Sequence, residues 1–262
     1  MVNLFTLQLI NFHFIQDVIG EMLVEILQEG VVKSIMSYSK LELIYFRLRA
    51  LAEAPQMMLK FADIDYSYTM ASEYFNKPWK EAKSDVAFNQ LPLLIVDEKI
   101  EIWQSNSIVR FLATITGTMP EDKMIAAQAD SIFESTHELF FPLNPTVNVF
   151  VGEHHNNLKK QFLETFPTKL KNFTRQLEKL SNGPFFFGKK PYYCDFSAYH
   201  HFSLARLLDN EILNEFPKIT NFMGEFEKLN NIAEYLKNRP ELIEIGQSPK
   251  MIINGEKLKT GG

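Results

Sequence analysis

The run LPLLIVD, Leu91 to Asp97, is apolar at every position between its first leucine and its last residue. A short run without polar alternation reads as a fully apolar strand, of the kind that is buried on both faces. Its neighbours agree. LELIYF near Leu41 is a short β-type run, followed by RALAEAPQMMLKFA with Leu51, Met58 and Phe61 among helix formers; IDYSYTM reads as another strand. Residues between Asn76 and Asn89 are polar and irregular, KIEIW follows a tight turn at Asp97 to Lys99, and SNSIVRFLATITG opens like a helix. The order is β-α-β, a loop, then β-β-α, a compact αβ module over residues 40–117.

Strand signals then stop. After a linker near Thr116 to Asp122, the segments Met124 to Phe141, Leu158 to Leu180, Asp195 to Leu208, Ile219 to Asn230 and Ile232 to Lys237 read as helices. An all-helical domain over 123–245 is expected, ending in a polar tail over 246–262 with an Asn-Gly turn at Asn254 and Gly255. Residues 1–39 stand apart. They are rich in Leu, Ile, Val and Phe, but Asp17, Glu21, Glu25 and Glu29 interrupt every apolar run, and a membrane span needs roughly 20 apolar residues. Ile15, Val18, Ile19, Met22, Leu23, Ile26 and Leu27 recur at helical spacing, so the plain reading is an amphipathic helical extension packed on the domain or a partner, in preference to membrane contact.

Of the 262 residues, 46% are apolar, enough for a real core. The net charge of −5 with dispersed basic residues argues against a nucleic-acid partner. Cys194 is the only cysteine, which excludes an internal disulfide framework and a Cys-based zinc site and fits the cytosol. The pairs His154-His155 and His200-His201 are sequence neighbours that do not share a face, so no metal site is expected.

The stretch NQLPLLIVDEKIEIWQSNSIVRFLA, Asn89 to Ala113, with IYFRLRALAE upstream and FFFGKKPYYCDFSAYHHF downstream, resembles the cytosolic glutathione transferases. Within that family the chain looks most like the sigma class, which includes the haematopoietic prostaglandin D synthases and the lens S-crystallins, with the mu and alpha classes as near alternatives. The resemblance implies a thioredoxin-like glutathione-binding domain followed by the all-helical domain, a transferase activity (glutathione transferase, EC 2.5.1.18), glutathione as co-substrate without a metal, a small hydrophobic electrophile as partner, and a homodimer. It also leaves a prostaglandin D synthase-type isomerase and a non-catalytic, crystallin-like protein as alternatives.

Residue by residue, the resemblance makes Tyr45 the catalytic donor to the glutathione thiol. Pro92 corresponds to a cis-proline that would turn the backbone of Leu91 toward the tripeptide. Gln104 and Ser105 would bind the γ-glutamyl carboxylate at a helix start. Trp79, Lys83 and Gln90 would meet the glycine end, and Arg49 would add a cation. An acid on the first helix of the second domain would reach across the dimer to the γ-glutamyl amine; Glu138 is favoured over Glu134 and Asp130. Leu48 and Phe140 would line the electrophile pocket, and Phe88 would plug into a partner subunit. Two departures stand out against the sigma pattern. Leu51 occupies a position where some sigma enzymes carry an arginine, and Tyr192 stands where the family has Ser or Thr three residues before Asp195, so the reciprocal half of a capping box is lost.

Overall fold

The computed structural model describes residues 40–261. Its first half is a four-stranded sheet in the order β2-β1-β3-β4, made of β1 (Leu41–Tyr45), β2 (Ser67–Met70), β3 (Leu93–Val96) and β4 (Ile100–Trp103). β1 pairs parallel with β2 and antiparallel with β3, and β3 pairs antiparallel with β4. All four residues of β3 are buried, as its unbroken apolar run requires. The β1–β2 crossover carries α1 (Glu53–Phe61), and the irregular segment after β2 contains two single-turn helices, α2 (Ala71–Tyr74) and α3 (Trp79–Ala82). α4 (Ser105–Ile115) leaves the end of β4 and packs beside α1 on the sheet.

The helical half comprises α5 (Lys123–His137), α6 (Phe140–Asn148), α7 (Gly152–Leu180), α8 (Tyr193–Leu208), α9 (Pro217–Glu227) and α10 (Asn230–Asn238). Asp122 starts α5, its carboxylate accepting the amides of Met124 at 2.8 Å and Ile125 at 2.9 Å. The long helix expected from Met124 to Phe141 is two helices: α5 stops at His137, and α6 runs on through Pro145 with a break at Phe141. α8 is buried nearly all round, which makes it the core of this half. At its start, Asp195 accepts the amides of Tyr192 at 2.8 Å and Phe186 at 3.0 Å, so the acid half of the capping box is formed without a side-chain cap from Tyr192. Complete burial pushes the Asp195 carboxyl up to about 7. Cys194 is buried beside it, and desolvation pushes its thiol well up.

The expected tail is instead an antiparallel meander of β5 (Glu241–Ile243), β6 (Lys250–Ile253) and β7 (Glu256–Lys259), with Asn254 and Gly255 both at positive φ in the β6–β7 turn. The meander straps two parts of the molecule. Gly152 donates to the Gly246 carbonyl at 2.8 Å, where Gly246 lies so close to the His155 ring that a side chain would collide with it. Beyond β7, Gly261 donates to the Arg47 carbonyl at 3.2 Å. Arg47 Nη1 donates to the Lys259 carbonyl at 3.2 Å, and Thr260 Oγ1 donates to the Asn148 carbonyl. The extension over 1–39 lies outside the described residues.

Two buried histidines give this core a pH dependence. Desolvation holds His201 down to about 4 and His200 well below its ordinary range. A histidine whose folded pKa is depressed binds fewer protons folded than unfolded, so its contribution is intact above about 6.5 and is lost as pH falls toward 4. For His201 the loss by pH 5 is about 2 kcal/mol. Asp195 works in the opposite sense over the same window, since the folded state keeps a proton that the unfolded chain releases above about 4. His201→Gln is therefore expected to narrow the difference in melting temperature between pH 7 and pH 5, measured by circular dichroism; an unchanged difference contradicts the assignment.

Candidate active site

Tyr45 ends β1 in the middle of the sheet, directly before the loop 46–52 that leads to α1. It is buried, and that burial pushes its hydroxyl pKa well above the ordinary tyrosine value; a backbone hydrogen bond from the Leu51 amide acts in the other direction. A phenol in this setting stays protonated at neutral pH and is a hydrogen-bond donor rather than a base.

The next peptide ties this corner together. The Phe46 carbonyl accepts the Tyr68 hydroxyl at 2.7 Å and the Leu48 amide at 2.8 Å. The Phe46 ring lies 5.3 Å from that of Tyr45 and meets Trp79 edge-on at 5.4 Å. Trp79 opens α3, half-buried, and Lys83 follows one turn later, exposed and in no ion pair among the described residues.

On the other side of β1, the Leu91–Pro92 peptide is cis and leads into β3. Gln90 lies just before it, and its side-chain carbonyl accepts the Gln104 amide at 3.2 Å. Gln104 sits at φ +68° between β4 and α4, a conformation that costs a residue with a side chain of order 1–3 kcal/mol. It turns the chain so that Ser105 becomes the first residue of α4, at the positive end of the helix. Cis-proline, Gln90, Gln104 and Ser105 therefore come together at one end of the sheet.

Arg49 goes elsewhere. Its side chain is buried at the junction with the helical half, where Nη2 donates to the Pro240 carbonyl and Arg239 and Glu53 are its charged neighbours. Its backbone is held from α6: the Arg49 amide donates to Asn148 Oδ1 and Asn148 Nδ2 donates to the Arg49 carbonyl, both at 3.1 Å. The charge is enclosed within the protein instead of standing with Lys83, because its partners approach from the far end of the chain.

Glu138 is also displaced from its expected place. It caps the C-terminus of α5, beyond the last helical turn, and its carboxylate pairs with Lys169 of α7 at 2.5 Å. The acids that face α4 are Asp130 and Glu134. Asp130 accepts Arg110 Nε at 2.8 Å and the Tyr193 hydroxyl at 2.9 Å, and the Arg110 guanidinium holds its carboxyl below the usual range. Glu134 accepts from Arg110 and, at 3.2 Å, from the amide of Asn106, the residue after Ser105. Sequence reasoning weighed Glu134 and Asp130 below Glu138. The signal that separates them is Asn106 and Arg110 at helical spacing on α4, a polar stripe that needs acids opposite.

The two expected pocket residues stand near opposite ends of α6. Leu48 is half-buried in the loop held by Asn148, and Phe140 lies at the opposite end of α6, its ring stacked on His137 at 6.0 Å. Between the two halves of the fold is a void of about 20 Å3 bordered by Leu51, Ser105, His137, Ser197, His200 and His201. Phe88 is held at φ +61° with 68% of its surface exposed, packed edge-on against Trp103. Among the described residues no group of three or more His, Cys, Asp or Glu is placed to hold a metal.

Comparison with known proteins meets this geometry at both halves. The family model described as Glutathione S-transferase, N-terminal domain, matches residues 41–114, and that described as Glutathione S-transferase, C-terminal domain, matches residues 143–239. Glutathione S-transferase Mu 5 of Mus musculus is 32% identical over 237 residues, covering 86% of this chain and 98% of the relative. Glutathione S-transferase Mu 3 of Homo sapiens is 33% identical over 233 residues, covering 85% and 96%. Among solved structures, the Onchocerca volvulus Pi-class glutathione S-transferase superposes with a TM-score of 0.68 at 25% identity, over 76% of this chain and 93% of its own. A rat hPGDS structure, at 19% identity and a TM-score of 0.67, shares the fold. The curated relatives are of Mu class and give the sigma reading no support. With related sequence along most of its length and the same two-part fold, this chain belongs to the glutathione S-transferase family.

Proposed function

We propose that this protein is a Mu-like glutathione S-transferase that couples the glutathione thiolate to small hydrophobic electrophiles, with Tyr45 as the donor that stabilises the sulfur anion. The observation that carries this reading is the convergence, at one end of the sheet, of a buried protonated tyrosine, the cis peptide before Pro92, and a helix start reached through the strained Gln104. Glutathione brings two carboxylates, an amine and a thiol. Ser105 and Gln104 take the γ-glutamyl carboxylate at the positive end of α4, and the main chain of Leu91 pairs with the tripeptide backbone. Lys83 meets the glycine carboxylate, with Trp79 as a wall and Gln90 as a further contact. Glu134 replaces Glu138 as the acid offered to the γ-glutamyl amine of a second subunit.

The chemistry is modest in size. Lowering a thiol from about 8.5 to about 6.5 takes roughly 2.7 kcal/mol. A hydrogen bond to an anion contributes about 1.5–3 kcal/mol, so one phenol suffices. The thiol proton leaves to solvent, and sulfur then adds to an electron-poor carbon or displaces a leaving group from it. Leu48 and Phe140 are the walls offered to the electrophile, and the cytosol is the compartment that suits a lone buried thiol. Retention on glutathione-agarose with turnover of chlorodinitrobenzene is the expected result; retention without turnover would leave a binding protein and sink the transferase.

The same reading makes the protein a homodimer. Phe88 is the aromatic on offer, and the groove between α5 and α7, about 470 Å3 and lined in part by Ile132, Phe173 and Leu180, can receive it from a second copy. Phe88→Ser is expected to shift the protein toward monomer in sedimentation velocity at micromolar concentration. Unchanged sedimentation of the variant would remove Phe88 from the interface.

A further inference from the structure

β2 carries a second tyrosine on the face of the sheet that carries Tyr45. In the parallel β1–β2 register, Leu43 is opposite Tyr68 and Tyr45 opposite Met70; residues two apart share a face, so Tyr68 and Tyr45 lie on one side. The Tyr68 hydroxyl proton is committed to the Phe46 carbonyl at 2.7 Å and is not available to a thiol. That carbonyl belongs to the residue directly after Tyr45. The Phe46 ring contacts both Tyr45 and Trp79, and the Phe46 carbonyl also holds the Leu48 amide. Displacing this peptide therefore moves the thiol donor, the wall at the glycine end and the start of the electrophile pocket together.

We infer that Tyr68 is a positioning residue for the transfer reaction, fixing the Phe46 peptide so that the Tyr45 hydroxyl is held at the distance from the sulfur that stabilises the thiolate. The inference rests on the reading of Tyr45 given above. Tyr68 is itself locked: it is partly buried, and burial with Tyr45, Glu53 and Tyr66 nearby keeps its hydroxyl protonated, so the bond to Phe46 persists across the working pH range. Nothing in the sequence marks it except its place two residues before Met70 in IDYSYTM, which sets it on the tyrosine's face.

Tyr68→Phe keeps the ring and removes only the bond to Phe46, whose carbonyl retains the Leu48 amide, so the fold should survive. The experiment compares wild type, Tyr68→Phe and Tyr45→Phe by the pH profile of kcat/KM with chlorodinitrobenzene, by ultraviolet absorbance of the bound thiolate, and by melting temperature. The expected result for Tyr68→Phe is a loss of up to about tenfold in kcat/KM at neutral pH, the net worth of one hydrogen bond. It should come with an upward shift of the profile's midpoint. A lowered melting temperature with the midpoint unmoved would make Tyr68 merely structural and overturn the inference. If Tyr45→Phe abolishes the thiolate signal while Tyr68→Phe matches wild type, the inference fails and the Tyr45 reading stands; if Tyr45→Phe changes nothing, both fall.

Discussion

Replacing Tyr45 with phenylalanine is expected to lower kcat/KM for chlorodinitrobenzene by about 10- to 100-fold at neutral pH, the rate equivalent of one hydrogen bond to a sulfur anion. The mechanism also fixes the form of the loss. Burial raises the tyrosine's own pKa, so the hydroxyl is a fixed donor and does not titrate in the working range. The group that titrates is the bound thiol. Removing its donor raises its pKa, so the variant's profile should be displaced to higher pH and approach the wild-type rate in alkali. A loss of the same size at every pH would mean that Tyr45 acts through structure alone. The Leu51 amide bonds the hydroxyl of the intact Tyr45 through the main chain, and that bond is lost together with the hydroxyl in the variant.

The second large effect concerns stability. Glu53 and Arg239 form an ion pair at 2.5 Å with side chains 5% and 12% exposed, and Arg49 is buried beside them. Arg239 is thus paired with the carboxylate, while the nearby Arg49 guanidinium donates to the Pro240 carbonyl and adds a second buried positive charge. Removing one partner of such a pair leaves a buried charge uncompensated, at a cost of about 3–5 kcal/mol. Glu53→Ala should cost that much in urea unfolding. Replacing Glu53 and Arg239 together with leucine and methionine should recover a large part of it, since an apolar pair of similar volume avoids the desolvation of both ions. A single-variant cost below about 1 kcal/mol would mean that water or local rearrangement already screens the pair.

The four-stranded sheet was legible because its strands announce themselves locally, β3 by a run with no polar alternation, whereas Gln90, Pro92, Gln104 and Ser105 stood out only through the resemblance to the glutathione transferases. What stayed hidden depended on distant partners. Arg49 looks like a free cation in RLRALAE; its destination is set by Arg239 and by Pro240, 191 positions away. Glu138 continues the spacing of Asp130 and Glu134, but the helix stops at His137 and the next residue turns toward Lys169. The C-terminal meander escaped, apart from its Asn254-Gly255 turn, because its strands are three or four residues long and carry Glu and Lys, which reads as a solvated tail.

That meander has a consequence for how such a protein can change. Its last residues grip Arg47, two positions after Tyr45, from 212 positions away in the chain. Lys259 and Gly261 hold Arg47 through their main chains and Thr260 holds the Asn148 carbonyl through its hydroxyl, so the loop that follows Tyr45 is anchored by the far end of the chain and tolerates change in the side chain at 259.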